Sequence, residues 1–428
     1  MKRVLIITYC YPPANAISAY RPKSFADNFP ENGLYPVIVT RHWDGTEKTW
    51  LDYEKPDLTP PKVTQNDKFT LIQLPYEARE YRRFKRIRHI SVLRKGFAFL
   101  YSLLGRFQIH NNAIESYETF LFEYLRENPV DYIFATCDPI NIALLGDRLS
   151  KKFNIPLVID FRDLWNNKLL SSDYRPSLNE RFINFCYESY LARWLQRASF
   201  VTAVTEPINE EVRRISPKTR TLMVTNGFET DVFRDFTSVN ENRNQKFTFS
   251  IIGTLFPEHD LSTLILGMTQ FLSDKDLSTV QLNLIGTAGI PEIRDMFLEA
   301  FPVECTRLTE RIPRGEALEI MKHSDVLFHA GWRNYRGIAS GKVFEYLGAH
   351  RNILIAPGDK DIMEQLVTTT GAGKIANSPE EFASTMNSWY CEWQANGFLE
   401  YFGDSEKINV YSRENQAKIL ATEILKIG

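Results

Sequence analysis

The chain has 428 residues, 43% hydrophobic and 24% charged, with a formal net charge of −2. This length accommodates two or three domains with well-buried cores, and the composition excludes a disordered, collagen-like or disulfide-scaffold chain. The balanced charge gives no global attraction to nucleic acid or to a membrane, and no nucleic-acid partner is expected.

In chain order, Val4–Ile7, Val37–Thr40, Thr70–Leu74, Tyr132–Ala135, Leu157–Asp160 and Phe200–Val204 are short apolar runs without two-residue alternation. That is the pattern of parallel strands covered on both faces. Ile140–Phe153 and Arg181–Arg197 read as helices between them, which predicts a doubly wound α/β sheet. The polar stretch 237–246 reads as an inter-domain connection. Beyond it, Thr248–Ile252, Gln281–Ile285, Val326–His329 and Ile353–Ala356 read as strands. Leu261–Phe271, Arg314–Lys322 and Lys342–Ala349 read as the helices among them. The tail 412–427 predicts an amphipathic helix with Ala417, Leu420, Ala421 and Ile424 on one stripe and Ser412 as N-cap. The expected domains are 1–237 and 245–405, with a C-terminal helix inside 406–428.

Lys2-Arg3 ahead of an apolar run imitates a signal peptide, but Val4–Ile7 is too short and Thr8 breaks it. No apolar run reaches the roughly 18 residues of a membrane span. Cys10, Cys137, Cys186, Cys305 and Cys391 lack metal or redox spacing and read as reduced thiols of a cytoplasmic protein. The seven histidines show no paired spacing, so neither metal nor other cofactor is expected.

Ligands of open α/β sheets bind beyond the carboxyl ends of strands. The turn Tyr9–Arg21 after the first strand carries Asn15 and Arg21 there. It is either a site of close approach or an ordinary connection, and without G-x-G-x-x-G it disfavours NAD chemistry. In ATCDP, Asp138 sits at a strand end and reads equally as a helix N-cap. In DFRDLW, Arg162 and Asp163 suit polar contacts with a ligand; a buried Asp160–Arg162 or Arg162–Asp163 pair that fixes the loop is the alternative. Gly253-Thr254 and Gly286-Thr287 are glycine turns at strand ends, open to close approach of a ligand.

The most informative segment is Ile338–Ala349 (IASGKVFEYLGA). Ser340-Gly341 opens a helix, so free N–H groups and the positive dipole end make an anion site, to which Lys342 adds charge. Glu345, one turn on, can accept two hydrogen bonds from vicinal sugar hydroxyls. Phosphate and ribose contacts together spell a nucleotide, although the P-loop pattern is missing. An incidental Lys342–Glu345 pair at an ordinary helix start is the alternative. Residues 79–106 hold nine Lys/Arg and one Glu, followed or interleaved by Phe97–Tyr101 and Leu103-Leu104. This suits peripheral contact with an anionic membrane surface, or else a solvated helix face followed by a core helix.

Together these motifs resemble the retaining GT-B glycosyltransferases of family 4, in particular the fucosamine-type branch of surface-polysaccharide synthesis. The resemblance rests on VLIITYCYPP, ATCDP, VIDFRDLW, ASFVTAVTEPINEEV, TNGFETDVF, SGKVFEYLGA and YSRENQAKIL and spans nearly the whole chain. It implies two Rossmann-like domains facing a cleft, acceptor on the N-terminal half, a nucleotide diphospho-sugar donor on the C-terminal half, and a last helix packing back on the first domain. It further implies that Glu345 holds the donor ribose, that Ser340, Gly341, Lys342 and Val343 form the diphosphate-binding helix start, and that Gly253 and Thr254 lie near the phosphates. Ile312 falls where backbone meets the base, Asp138 near the reacting sugar, and Asn15, Arg21, Arg162 and Asp163 on the acceptor side. Two positions depart from the family pattern. Gly337 stands where the first Glu of Glu-x(7)-Glu is expected, and no basic residue follows Gly253, so Lys342, Arg333 or Arg336 is expected to supply that charge. The implied activity is transfer of a sugar, UDP-linked by expectation, to a lipid-linked or saccharide acceptor. A nucleotide-sugar epimerase of the same fold and a degenerate non-catalytic member are the alternatives.

Overall fold

A computed structural model describes residues 1–14, 16–47, 52–76, 92–93, 96, 99–100, 113–137, 139–234 and 244–427. The chain divides into two compact units, Met1–Thr225 with Gln416–Gly428, and Asn226–Asn415. The division falls ahead of the polar stretch 237–246, most of which lies outside the described residues.

The first unit carries an eight-stranded sheet. Its strands are β1 (Lys2–Ile7), β2 (Leu34–Arg41), β3 (Lys62–Gln65), β4 (Thr70–Leu74), β5 (Tyr132–Cys137), β6 (Leu157–Phe161), β7 (Phe200–Ala203) and β8 (Thr221–Met223). They stand in the order β3-β4-β2-β1-β5-β6-β7-β8, all parallel except the β3–β4 pair. The second unit carries six parallel strands: β9 (Phe247–Ile252), β10 (Val280–Ile285), β11 (Thr306–Leu308), β12 (Val326–His329), β13 (Asn352–Ile355) and β14 (Gly373–Ile375). Their order is β11-β10-β9-β12-β13-β14.

The apolar runs become strands because helices cover both sheet faces. Val4 to Ile7 and Leu157 to Ile159 have no exposed surface, the burial expected of parallel sheets. The edge strands β3, β8, β11 and β14 are short and partly or wholly exposed. In the second unit one face is packed by Phe247, Phe249, Phe271, Phe328 and Phe382, the other by Phe344, Tyr346, Leu347 and Ile353. The last helix, Arg413–Leu425, is capped by the Ser412 hydroxyl, which accepts from the Asn415 N–H at 3.3 Å. Its stripe of Ala417, Leu420, Ala421 and Ile424 is buried in the first unit's core with Val4, Phe25 and Phe134.

Strand order reverses once in each sheet. In the first it does so between β1 and β5, and in the second between β9 and β12. The loops leaving such a pair diverge to opposite faces, and the crevice between them is where open α/β sheets bind ligands.

Candidate functional site

The second unit's switch point is built by the loops that follow β9 and β12. They are laced together: the Asp260 N–H donates to the Gly331 carbonyl at 3.0 Å, and the Arg333 N–H to the Glu258 carbonyl at 2.8 Å. His259 and Trp332 form an isolated bridge, with ring centroids 4.3 Å apart. The loop after β12 then delivers the helix Gly341–Gly348, whose N-cap, Ser340, makes no side-chain cap bond. First-turn N–H groups are left for an acceptor from elsewhere.

Lys342 reaches back from this helix to β9. Its Nζ donates to the Thr254 carbonyl at 2.6 Å, its only hydrogen-bond partner among the described residues. Gly253 has φ +101°, so the backbone requires glycine, and a Cβ there would lie 2.6 Å from the Lys342 Cε and displace the end of that side chain. Gly286, at the end of β10, packs its own left-handed turn against Gly253. Burial, and secondarily the Arg311 cation, pushes the Lys342 ammonium down to about 8. Among the described residues, no carboxylate is paired with that charge. Burial first and Lys342 second push His259 down to about 4, and its Nδ1 meets the backbone N–H of Phe256 at 3.0 Å. His329, which ends β12, is held well below the usual imidazole range by burial, Lys342 and His259. Among the described residues the edge therefore carries the Lys342 ammonium, without a paired carboxylate, beside two neutral imidazoles, a setting that attracts an anion.

The sequence-predicted residues fall around this edge as follows. Gly253, Thr254, Ser340, Gly341 and Lys342 come together at the switch point. Of the three candidates for the missing positive charge, Lys342 stands at Gly253-Thr254, whereas Arg333 is exposed and 3.5 Å from Asp260, and Arg336 is exposed. Val343 is fully buried in the core and its N–H donates to the Ser340 carbonyl at 3.2 Å, so its side chain offers a ligand nothing. Ile312 lies partly buried in the loop after β11. Glu345 does not pair with Lys342. It accepts from Arg314 at 3.1 Å, and Arg314 also donates to Glu229 at 3.2 Å. A carboxylate–guanidinium–carboxylate row thus lies one helical turn beyond the anion site. Gly337, in place of the expected Glu, has φ +70° and donates its N–H to the Asp361 carboxylate.

In the first unit, Asn15 and Asp138 lie outside the described residues, as does nearly all of the basic segment 79–106. The strands that precede them, β1 and β5, flank the first switch point. Arg21 is not an exposed acceptor contact. It is buried and forks onto Asp160, Nε to Oδ2 at 3.0 Å and Nη2 to Oδ1 at 2.7 Å, and also donates to the Val224 and Thr225 carbonyls. The proposed Asp160–Arg162 pair therefore does not form. Arg162 donates instead to the carbonyls of Cys137 at 3.2 Å and Ser18 at 3.1 Å, tying the end of β5 and the loop after β1 to the turn after β6. Asp163 is exposed in the following turn.

Sequence reading missed His259, His329, Arg311, Arg314 and Asp361. His329 carried a signal, as a polar residue closing an otherwise apolar predicted strand. The others depend on loop lacing and ion pairs between distant segments. Among the described residues, no group of three or more His, Cys, Asp and Glu is placed to hold a metal. No helix among them is long and apolar enough to cross a membrane.

No protein-family model matches the chain, and no curated protein matches it in sequence. Solved structures do match in fold over the whole length. Sucrose-phosphate synthase from Thermosynechococcus elongatus aligns with TM-score 0.65 at 13% identity, covering 100% of this chain and 99% of that one. A glycosyltransferase from Rickettsia africae ESF-5 gives 0.62 at 10% identity, covering 99% of each chain. Anabaena HepE in complex with UDP and glucose gives 0.59 at 13% identity, covering 100% of each. At such identities the likeness is one of fold: the chain has the GT-B fold.

Proposed function

We propose that this protein is a glycosyltransferase that takes a nucleotide diphospho-sugar donor on its second unit. The observation that carries this reading is Lys342, a half-buried ammonium bonded among the described residues only to a carbonyl, at an uncapped helix start, at the switch point of a parallel sheet. A diphosphate matches that site in charge and in its need for several hydrogen-bond donors. Glu345, one turn away, would hold the ribose, with Arg314 orienting its carboxylate. Ile312 would face the base through its backbone. The fold likeness to HepE, whose structure holds UDP and glucose, supports a uridine nucleotide.

In the proposed reaction the anomeric C–O bond of the donor breaks and its electron pair leaves with the diphosphate. Lys342 and the Ser340-Gly341 helix start stabilise the growing charge, an effect strongest in a dry, preorganised site. The acceptor hydroxyl attacks from the same face and passes its proton to the departing phosphate oxygen, so configuration is retained. Asp138 would contact the reacting sugar, and Asn15, Arg162 and Asp163 the acceptor. We propose a lipid-linked or saccharide acceptor in surface-polysaccharide synthesis, and contact of the basic segment 79–106 with the anionic inner face of the cytoplasmic membrane.

Thermal-shift measurement against UDP, GDP, ADP and their common sugar conjugates tests the donor reading. A ligand at 100 times its dissociation constant adds about 2.7 kcal/mol of stability. A shift with one base family supports it and names the donor; no shift with any nucleotide, including in the presence of membrane lipid extract, overturns it. Release of a new sugar nucleotide without acceptor would instead identify an epimerase.

A further inference from the structure

His329 closes β12, one of the two strands that flank the second unit's switch point. It is 3% exposed, and its Nε2 has no hydrogen-bond partner. A polar atom buried without a partner is destabilising, and in a folded protein it calls for an explanation. Its strand is fixed on both sides. β12 pairs with β9 through Val326 and Leu327 and with β13 through all four of its residues, and the His329 carbonyl accepts from the Ala356 N–H at 2.8 Å. The ring is thus anchored by the sheet and not by its own nitrogen.

Besides burial, the groups that act on this ring are Lys342 and His259, and among the described residues no acid is bonded to either. Lys342 is bonded to the Thr254 carbonyl, and the His259 Nδ1 to the backbone of Phe256. A ligand that answers both an unmatched ring nitrogen and an unbalanced ammonium is an anion with several acceptor oxygens. Water would satisfy the nitrogen but leave the ammonium without a counter-charge.

We propose that the His329 Nε2–H donates to a diphosphate oxygen of the donor, making His329 a second diphosphate ligand beside Lys342. This rests on the sugar-nucleotide reading of the site. Burial first, and the Lys342 ammonium second, keep the imidazole neutral, so the ring acts as a directed hydrogen-bond donor and not as a second charge. The tautomer with the proton on Nε2 is the one that a phosphate oxygen selects. The division of labour is between Lys342, which attracts the anion, and His329, which fixes the position of one oxygen relative to the sheet edge.

Calorimetric binding of inorganic pyrophosphate, UDP and uridine to the wild type, His329→Leu and His329→Gln tests this. Leu removes the donor, whereas the Gln amide can place an N–H near the position of Nε2. His329→Leu is expected to weaken pyrophosphate and UDP about tenfold, the scale of one lost hydrogen bond to a charged group, with uridine unchanged. His329→Gln is expected to retain most of the affinity. In wild-type protein with 15N-labelled histidine, pyrophosphate is expected to shift the His329 Nε2 resonance, a readout that survives if the Leu variant fails to fold. Wild-type-like binding of pyrophosphate by folded His329→Leu, no pyrophosphate binding by the wild type, or an unmoved Nε2 resonance overturns the proposal. If pyrophosphate binds in a His329-dependent manner but no nucleoside diphosphate binds, the anion site stands and the sugar-nucleotide reading falls. If UDP binds equally to wild type and His329→Leu, the reverse holds.

Discussion

The Lys342 ammonium meets the Thr254 carbonyl across the bare Cα of Gly253, which joins the helix Gly341–Gly348 to the end of β9. The contact holds a cation that no carboxylate among the described residues pairs with. Lys342→Met keeps most of the stem and removes that charge. Without ligand the variant is expected to be more stable by about 1 kcal/mol, which raises the melting temperature by roughly 2–4 °C. Stabilisation by UDP is expected to fall sharply. A variant that melts lower than the wild type and still gains full stability from UDP would remove Lys342 from the site.

The same residue sets a pH dependence. Burial pushes its ammonium down to about 8 in the folded chain, below the ordinary lysine value of 10.5. A bound diphosphate favours the charged form, so donor affinity is expected to be level below pH 8 and to fall as the pH rises through it. Stability of the free protein runs the other way. The unfolded chain binds the extra proton between about pH 8 and 10.5, so this group's destabilising effect is present in full below pH 8 and fades over that window. Calorimetric titration of UDP from pH 6.5 to 9.5 checks the first; an affinity that stays level across pH 8 would contradict it.

Asp325 gives a second pH signature, at the opposite edge of the same sheet. Burial pushes its carboxyl up to about 6, against the Thr248 N–H, Asn244 and Arg351, which favour the charged form. A folded value above the unfolded one means stability falls as pH rises between about 4 and 6. Oδ2 accepts both from Thr248 at 2.7 Å and from Asn244 at 3.1 Å, and an amide oxygen can take both bonds. Asp325→Asn is therefore expected to abolish this slope. The difference in melting temperature between variant and wild type should grow from pH 4 to 6 and then level off. Parallel melting curves across that range would show that the carboxyl titrates elsewhere.

Central elements can be read from this sequence because their burial is written in composition. β4 and β12 have the predicted bounds, Thr70–Leu74 and Val326–His329, since the sheet interior demands an unbroken apolar run. The edge strand Lys62–Gln65 is exposed throughout, and Thr306–Leu308 only half-buried. Neither carries a pattern, because only the neighbouring strand makes it a strand. The anion site divides in the same way. Ser340-Gly341-Lys342 is a local signature of a helix start, whereas the pairing of Glu345 with Arg314 and the lacing of His259 to Trp332 join segments far apart in the chain. The sequence also offered Arg162 as the partner of Asp160. The fold chose Arg21, which lies in the first turn of the helix Tyr20–Asn28 and reaches both Asp160 on β6 and the Val224 and Thr225 carbonyls, a placement no local spacing reveals.

That Arg21–Asp160 pair makes a large expected stability effect in the first unit. Each carboxylate oxygen accepts twice, Oδ1 from Arg21 and Thr202 and Oδ2 from Arg21 and Thr136. Burial opposes the charge on Asp160, yet the guanidinium and the two hydroxyls hold the carboxyl below its ordinary value. Arg21→Met would leave Asp160 ionised, fully buried and short of half its bonds, at a cost of about 3–5 kcal/mol. Replacing both partners, Arg21→Met with Asp160→Leu, removes the stranded charge and is expected to recover part of the loss. Urea unfolding of the two variants beside the wild type measures this, and equal stability of the single and double variants would show that the charge is not what makes the pair matter. The wild-type pair should also weaken in acid, since a depressed carboxyl gives up its contribution as pH falls below about 4.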